Sequence, residues 1–283
     1  MKTATIMNGK ALAAKVRAGL KTKVADYKSK HGRGPGLAVF LVGEDPASDI
    51  YVNAKNKACV EAGYKSVVIR MPENTPTEEL LAAVEKYNKD DTIHGILVQL
   101  PLPKHIDEKK VIYAIAPEKD VDGFHPFNVG LMYSGEEGLY PCTPAGCMMI
   151  LDEYNIDPRG KHAVVIGASN IVGRPMSALL LRADSTTTTC HIYTQNLKEI
   201  TRQADILVAA LGKPEFVTAD HVKEGAVVID IGINRVDGKL VGDVAFEEVS
   251  KKASYITPVP GGVGPMTIAV LLDNTLKAFE ATL

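Results

Sequence analysis

The sequence predicts an α/β fold of two α/β domains, the second a Rossmann-like doubly wound parallel sheet. Three observations carry this. Short apolar runs rich in β-formers alternate with longer helix-like stretches along the chain. The alternation is interrupted once, between about residues 123 and 160. One apolar run, KHAVVIGAS (161–169), enters a glycine turn that opens onto a helix-like stretch.

Taken in order, MKTATIMNGKALAAKVRAGLK reads as an amphipathic helix. Lys10, Lys15 and Arg17 break its apolar stretch, unlike a signal peptide. PGLAVFLVG (35–43) is a first strand. DPASDIYVNAKNKACVEAG follows as a helix with an acidic, hydroxyl-rich start and Gly63 as its stop. KSVVIRM (65–71) is a second strand, and TPTEELLAAVEKYNKD a helix with a hydroxyl cap followed by glutamates. IHGILVQLPLP (93–103) is a third strand, running into prolines, and DEKKVIYAIAP (107–117) a last helix. Strands alternating with helices imply a parallel sheet covered on both faces. A helix over 141–157, with Pro144 in its first turn, intervenes. The second series has strands at 161–169, 186–194, 204–212, 225–234 and 254–260, a helix after the first of them, and a terminal helix.

Composition excludes several classes. Hydrophobic content of 46% and charged content of 23% fit an ordinary globular protein, with no low-complexity segment. A net charge of −2 gives no broad electrostatic case for nucleic acid or an anionic membrane. No apolar run approaches the roughly 20 residues of a membrane span. Cys59, Cys142, Cys147 and Cys190 form neither CxxC nor a disulfide or zinc pattern, and free thiols fit a reducing cytoplasm. Asp120 beside Asp122 hints at a metal site, but no His or Cys clusters near them and the seven histidines are scattered, so no metal is expected.

VVIGASNIVGRPMSALLL places a glycine turn between strand and helix, where the backbone can approach a pyrophosphate facing the helix N-terminus. It is not GxGxxG: Ser169 stands where the second glycine would be, and Gly173 comes one residue late. The glycines alone fit a plain βα turn equally well; the strands that follow at Rossmann-like spacing favour a nucleotide. The second strand ends CHIYTQN, without the carboxylate that binds ribose hydroxyls in NAD sites. That favours NADP, with Arg174 as a candidate 2′-phosphate partner or simply a surface arginine.

Tyr51 and Lys55 form a YxxxK pair, stacked on one helix face by the i, i+4 spacing. Short-chain dehydrogenases carry such a pair, but after their nucleotide glycines and in the same domain. Here it precedes the glycine turn by more than a hundred residues. GEDPASDIYVNAKNKACVEAG, HGILVQLPLP, PEKDVDGFHPFNVG, PCTPAG, GASNIVGRP and SYITPVPGGVGPMT instead occur in order. This series resembles the bifunctional methylenetetrahydrofolate dehydrogenase/cyclohydrolase family over essentially the whole chain.

The resemblance implies a folate-binding domain over 1–140, a nucleotide domain over 141–264, a cleft between them, and a C-terminal helix, 265–283, packing back on the first. It implies oxidation of 5,10-methylenetetrahydrofolate with NADP, NAD being the alternative, then hydrolysis to 10-formyltetrahydrofolate, in a cytoplasmic homodimer serving one-carbon metabolism and purine synthesis. By the same resemblance Lys55 is the proton-handling residue. A lysine at its free value of about 10.4 is a poor base, and partial burial and a cationic ligand both disfavour the charged form. Tyr51 would stack on the flat ligand. Gln99 would hold Lys55, its neutral amide not favouring the ammonium as a carboxylate would. Asp122 would accept paired N–H bonds from the pterin edge. Those four are the expected catalytic set. Val98, Leu100, Pro260, Gly261 and Gly262 would join them around the folate. Gly167, Ala168, Ser169, Arg174, Ile233 and Thr143 would meet the nucleotide. Ala168 and Ile192 stand where some relatives place phosphate-binding residues.

Overall fold

A computed structural model describes residues 3–283. Along the chain it forms β1 (Thr5–Ile6), α1 (Gly9–His31), β2 (Gly36–Val42), α2 (Pro46–Glu61), β3 (Lys65–Met71), α3 (Thr77–Asn88) and β4 (Gly95–Val98). Then come α4 (Glu108–Ala114), α5 (Pro126–Ser134), α6 (Cys142–Glu153), β5 (His162–Ile166), α7 (Gly173–Arg182), β6 (Thr186–Cys190), α8 (Leu197–Thr201) and β7 (Ile206–Ala209). The rest is β8 (Val227–Asp230), β9 (Asn234–Val236), β10 (Lys239–Val241), α9 (Phe246–Val249), β11 (Tyr255–Ile256) and α10 (Val263–Glu280). Contacts divide the chain into two units. One holds Lys15–Cys142 with Ile268–Leu283; the other holds the described residues through Ala14 with Thr143–Thr267.

The first unit carries a parallel sheet ordered β3-β2-β4. Every residue of central β2, GLAVFLV, is buried, as a strand covered on both faces must be. Phe40, Leu80, Val84, Ile93 and Ile96 form the core on one side. Asp45 caps α2 by accepting from Ser48 N at 2.8 Å, with Pro46 at the first helical position. The end of α10 belongs here: Tyr64 Oη donates to Leu272 O at 2.9 Å, and buried Phe279 meets the His94 and Tyr27 rings edge-on.

The second unit carries six parallel strands ordered β1-β11-β8-β7-β5-β6. The chain runs from β5 out to β6, then crosses back to β7 on the other side, the doubly wound arrangement. Val164, Ile166, Leu207, Val228 and Ile256 lie in its core.

Several elements differ from the sequence reading. Thr5–Ile6, read as part of a helix in the first domain, pairs with Tyr255–Ile256 in the second unit's sheet. Two residues are too few to show a period, and their partners lie about 250 residues away. The strand over 186–194 stops at Cys190, because His191 N donates to Thr194 Oγ1 and Tyr193 N to His191 Nδ1, closing a turn. Ile192 and Tyr193, which looked like its continuation, are 90% and 85% exposed. The strand over 225–234 breaks after Asp230; Asn234 begins a hairpin of β9 and β10 instead. Helix α5 was not anticipated, although His125-Pro126 starts it and Gly135, at φ 81°, closes it in the left-handed conformation.

Candidate active site

In the first unit the chain leaves β2 for β3 on one side and returns to β4 on the other, opening a crevice at the strands' carboxyl ends. Lys55 comes to that crevice from the middle of α2 and Gln99 from the residue after β4. Lys55 Nζ donates to Gln99 Oε1 at 2.9 Å. Gln99 is held from both ends: its N–H donates to Phe40 O and its Nε2 to Leu100 O at 2.7 Å. The amide oxygen is thereby aimed at the lysine. Lys55 is 7% exposed, unlike the solvated lysine that spacing alone allowed, and Val98, the last residue of β4, is buried. Tyr51, one turn earlier, is 37% exposed, and burial of the remainder pushes its phenol upward.

Asp122 faces the same lysine. Burial pushes its carboxyl up to about 6; Lys55 opposes that rise and Asp120 adds to it. The neighbouring aspartates do different jobs. Asp120 is buried and accepts from Phe124 N, His125 N and Asn128 Nδ2 at 3.3, 2.8 and 2.9 Å, tying the DVDGFHPFN loop together. Asp122 takes none of these three donors; the Cys142 thiol hydrogen-bonds to it. Gly123, at φ 73°, packs where an added Cβ would collide with the Tyr140–Pro141 backbone.

The reading from sequence missed two residues beside Asp122. Cys142 Sγ donates to Val121 O at 3.2 Å. Asn274 on α10 is buried and donates to Val121 O and Tyr140 O, both at 2.9 Å. The available signal was one asparagine among the apolar residues of the terminal helix, where a buried amide must find partners.

In the second unit the glycine turn joins β5 to α7 and packs against Ala210, just after β7. A Cβ on Gly167, at φ 126°, would collide with Ala210 O, and one on Gly173 with Gly167 O. Ser169 Oγ accepts from Val172 N and Gly173 N at 3.2 and 3.3 Å, capping α7, while the Ser169 and Arg174 side chains remain at the surface and Ala168 is half-buried. Ile233 is 45% exposed and lies 3.6 Å from where a Cβ on Gly264 would be. Pro260 is exposed; Gly261, at φ 108°, accepts from Lys10 N at 2.8 Å, and Gly9 abuts Gly262 so closely that a Cβ would not fit. Thr143 Oγ1 and Thr267 Oγ1 are hydrogen-bonded at 3.0 Å. The expected folate set therefore separates: Tyr51, Lys55, Val98, Gln99, Leu100 and Asp122 lie in the first unit, whereas Pro260–Gly262 lie in the second with the nucleotide set.

Sequence reasoning also missed two buried carboxylates of the second unit. Asp230 ends β8 and accepts from Gly232 N, Asp243 N and Val244 N at 2.9, 2.9 and 3.0 Å. Asp243 accepts from Leu211 N, Gly212 N, Lys213 N and Asn234 Nδ2 at 2.6, 3.0, 2.9 and 2.9 Å. Burial pushes the Asp230 carboxyl up to about 6, against its three hydrogen bonds. Among the described residues no group of three or more His, Cys, Asp or Glu could hold a metal ion, and no helix is long and apolar enough to cross a membrane.

Comparison with known proteins covers the whole of this arrangement. Residues 7–122 match the tetrahydrofolate dehydrogenase/cyclohydrolase catalytic domain, and residues 141–283 match the NAD(P)-binding domain of the same family. The bifunctional protein FolD of Campylobacter concisus is 61% identical over 277 residues, covering 98% of both chains. The crystal structure of the bifunctional FolD dehydrogenase/cyclohydrolase from Campylobacter jejuni is 56% identical, with a TM-score of 0.97 over 99% of this chain and 100% of that one. The Trypanosoma brucei enzyme, complexed with NADP cofactor and inhibitor, is 38% identical, with a TM-score of 0.96 over 100% and 99%.

Proposed function

The chain belongs to the tetrahydrofolate dehydrogenase/cyclohydrolase family, and from that premise we propose how its residues divide the work. It oxidises 5,10-methylenetetrahydrofolate to 5,10-methenyltetrahydrofolate with NADP, then hydrolyses the product to 10-formyltetrahydrofolate. The observation that carries the assignment of residues is the half-buried Lys55–Gln99 hydrogen bond with Asp122 beside it.

Hydrolysis adds water to the cationic carbon between N5 and N10 of the methenyl compound. Lys55 takes a proton from that water as the C–O bond forms. As the C–N5 bond breaks and the C=O bond forms, the hydroxyl proton of that adduct passes to N5, the formyl group stays on N10, and Lys55 releases the proton it took to solvent. Gln99 aims the Lys55 amine by accepting one of its hydrogens. Asp122 accepts N–H bonds from the amino-pyrimidine edge and fixes the ring relative to Lys55. Tyr51 offers its exposed ring face to the ligand plane.

The second unit fits NADP: Gly167 and Gly173 pack backbone against backbone where side chains would collide, giving a tight strand-to-helix turn of the kind that meets a pyrophosphate. Bound there, NADP supplies the hydride acceptor for the first step. Gly167, Ala168 and Ser169 shape that turn, Arg174 lies at the helix start for the 2′-phosphate, and Ile233 presents backbone. Thr143 and the Pro260–Gly262 loop contribute contacts of their own. We assign the enzyme to the cytoplasm, where its four buried free thiols stay reduced, as a homodimer supplying one-carbon units for purine synthesis.

The test is to supply methenyltetrahydrofolate without nucleotide and follow loss of its chromophore. Acceleration over buffer is expected. Its absence, with NADP-dependent oxidation intact, would leave a dehydrogenase alone and remove the role given to Lys55.

A further inference from the structure

Two glycines of the second unit have no side chain for an unusual reason. A Cβ on Gly232 would strike the carboxyl of Asp243, and a Cβ on Gly242 would strike the carboxyl of Asp230. The chain makes room for two buried carboxylates, 3% and 0% exposed, that neither step of the reaction uses. Burying like charges together is costly and persists only where many donors compensate.

The donors show what the pair does. Asp243 gathers three successive backbone N–H groups, Leu211, Gly212 and Lys213, from the loop that leaves β7. That loop begins at Ala210, whose carbonyl is packed against Gly167. Asp243 also holds the Asn234 side chain, and Asp230 holds Gly232 N, so the backbone on both sides of Ile233 is fixed. Asp230 in turn holds Asp243 and Val244 by their own N–H groups. An asparagine at 243 has one acceptor oxygen and presents an N–H to donors, so it cannot satisfy this set.

We propose that Asp243 and Asp230 are positioning residues for the nucleotide: a carboxylate latch that fixes the 210–213 and 231–234 backbones against the glycine turn. The proposal rests on the reading that this turn binds NADP. The latch acts on the dehydrogenase alone, because hydrolysis needs no nucleotide.

The experiment measures both activities in full-length Asp243→Asn and Gly232→Ala, which disturb the latch from opposite sides, with Gly173→Ala as a probe of the turn itself. Thermal unfolding with and without NADP is recorded for each. Both latch variants should raise KM for NADP about 10-fold or more, shrink the NADP-induced rise in Tm, and leave methenyltetrahydrofolate hydrolysis within about 2-fold of the parent. A lower Tm with KM for NADP unchanged would overturn the proposal, as would equal loss of both activities or failure of both variants to fold. Should Gly173→Ala also leave KM unchanged, the nucleotide site itself is misplaced; a rise there with unmoved latch variants removes only the latch.

Discussion

In the first unit, β2 sends the chain to β3 on one side and β4 on the other; in the second, β5 does the same with β6 and β7. Both arrangements open a crevice at the strands' carboxyl ends, yet the crevices are furnished differently. The first is lined by side chains: Lys55 from α2, Gln99 after β4, and Asp122 on a loop tied down by Asp120. The second is shaped by missing side chains at Gly167 and Gly173, with loops held by Asp230 and Asp243. A crevice that moves protons needs titratable groups, whereas one that holds a phosphorylated cofactor needs backbone N–H groups at close range. On the proposed roles, the same topology should therefore yield sites that fail in different ways when mutated.

The strongest break in that comparison is Lys55→Met. It should lower hydrolysis by about 10²–10⁴-fold while NADP still raises Tm. Full hydrolytic activity would mean the first crevice does not work through its lysine. Next, Gly167→Ala forces a Cβ into Ala210 O and should cut dehydrogenase kcat/KM by about 100-fold, with hydrolysis barely changed. Parallel loss of both activities would show that the sites do not fail separately.

A smaller effect sharpens the first crevice. Asp122 is raised to about 6 by burial, so its carboxylate predominates above that pH and is lost as pH falls through it. Hydrolytic kcat/KM, measured without nucleotide to exclude Asp230, should show an acid limb near pH 6. Asp122→Asn should remove that limb and raise the folate KM about 10-fold. A persisting limb would assign it to another group.

The least effect on activity is expected at the opposite end of β4. His94 is buried, accepts from Gly36 N at 3.1 Å, and is pushed down to about 4, chiefly by burial and then by Arg33 and Lys119. A neutral native histidine contributes its full stability above the unfolded value near 6.5; that stability is lost as pH falls from there to about 4. Denaturant midpoints should fall across this window by the equivalent of roughly 3 kcal/mol, and His94→Gln should flatten the slope. An unchanged slope would place the acid sensitivity elsewhere.

The alternation of strands and helices was legible because buried parallel strands read as continuous apolar runs, and β2 is such a run. The proposed set Lys55, Gln99 and Asp122 was singled out by motif, and the fold brings Lys55 into a hydrogen bond with Gln99 and sets Asp122 near it. The latch aspartates were not: Asp230 reads as a strand end and Asp243 as a turn residue, and only folding places Leu211–Lys213 against Asp243. Asn274 was hidden likewise, since its partners Val121 and Tyr140 lie more than 130 residues away.

The sequence by itself determined the two α/β units, the glycine turn and the residue types able to do the chemistry, because periodicity and side-chain identity are local properties. Tertiary structure decided which aspartate collects the loop's donors, that Lys55 is buried against Gln99, and that Thr5–Ile6 joins a distant sheet. Those outcomes depend on which donors and strands meet across the fold, and sequence spacing carries no such information.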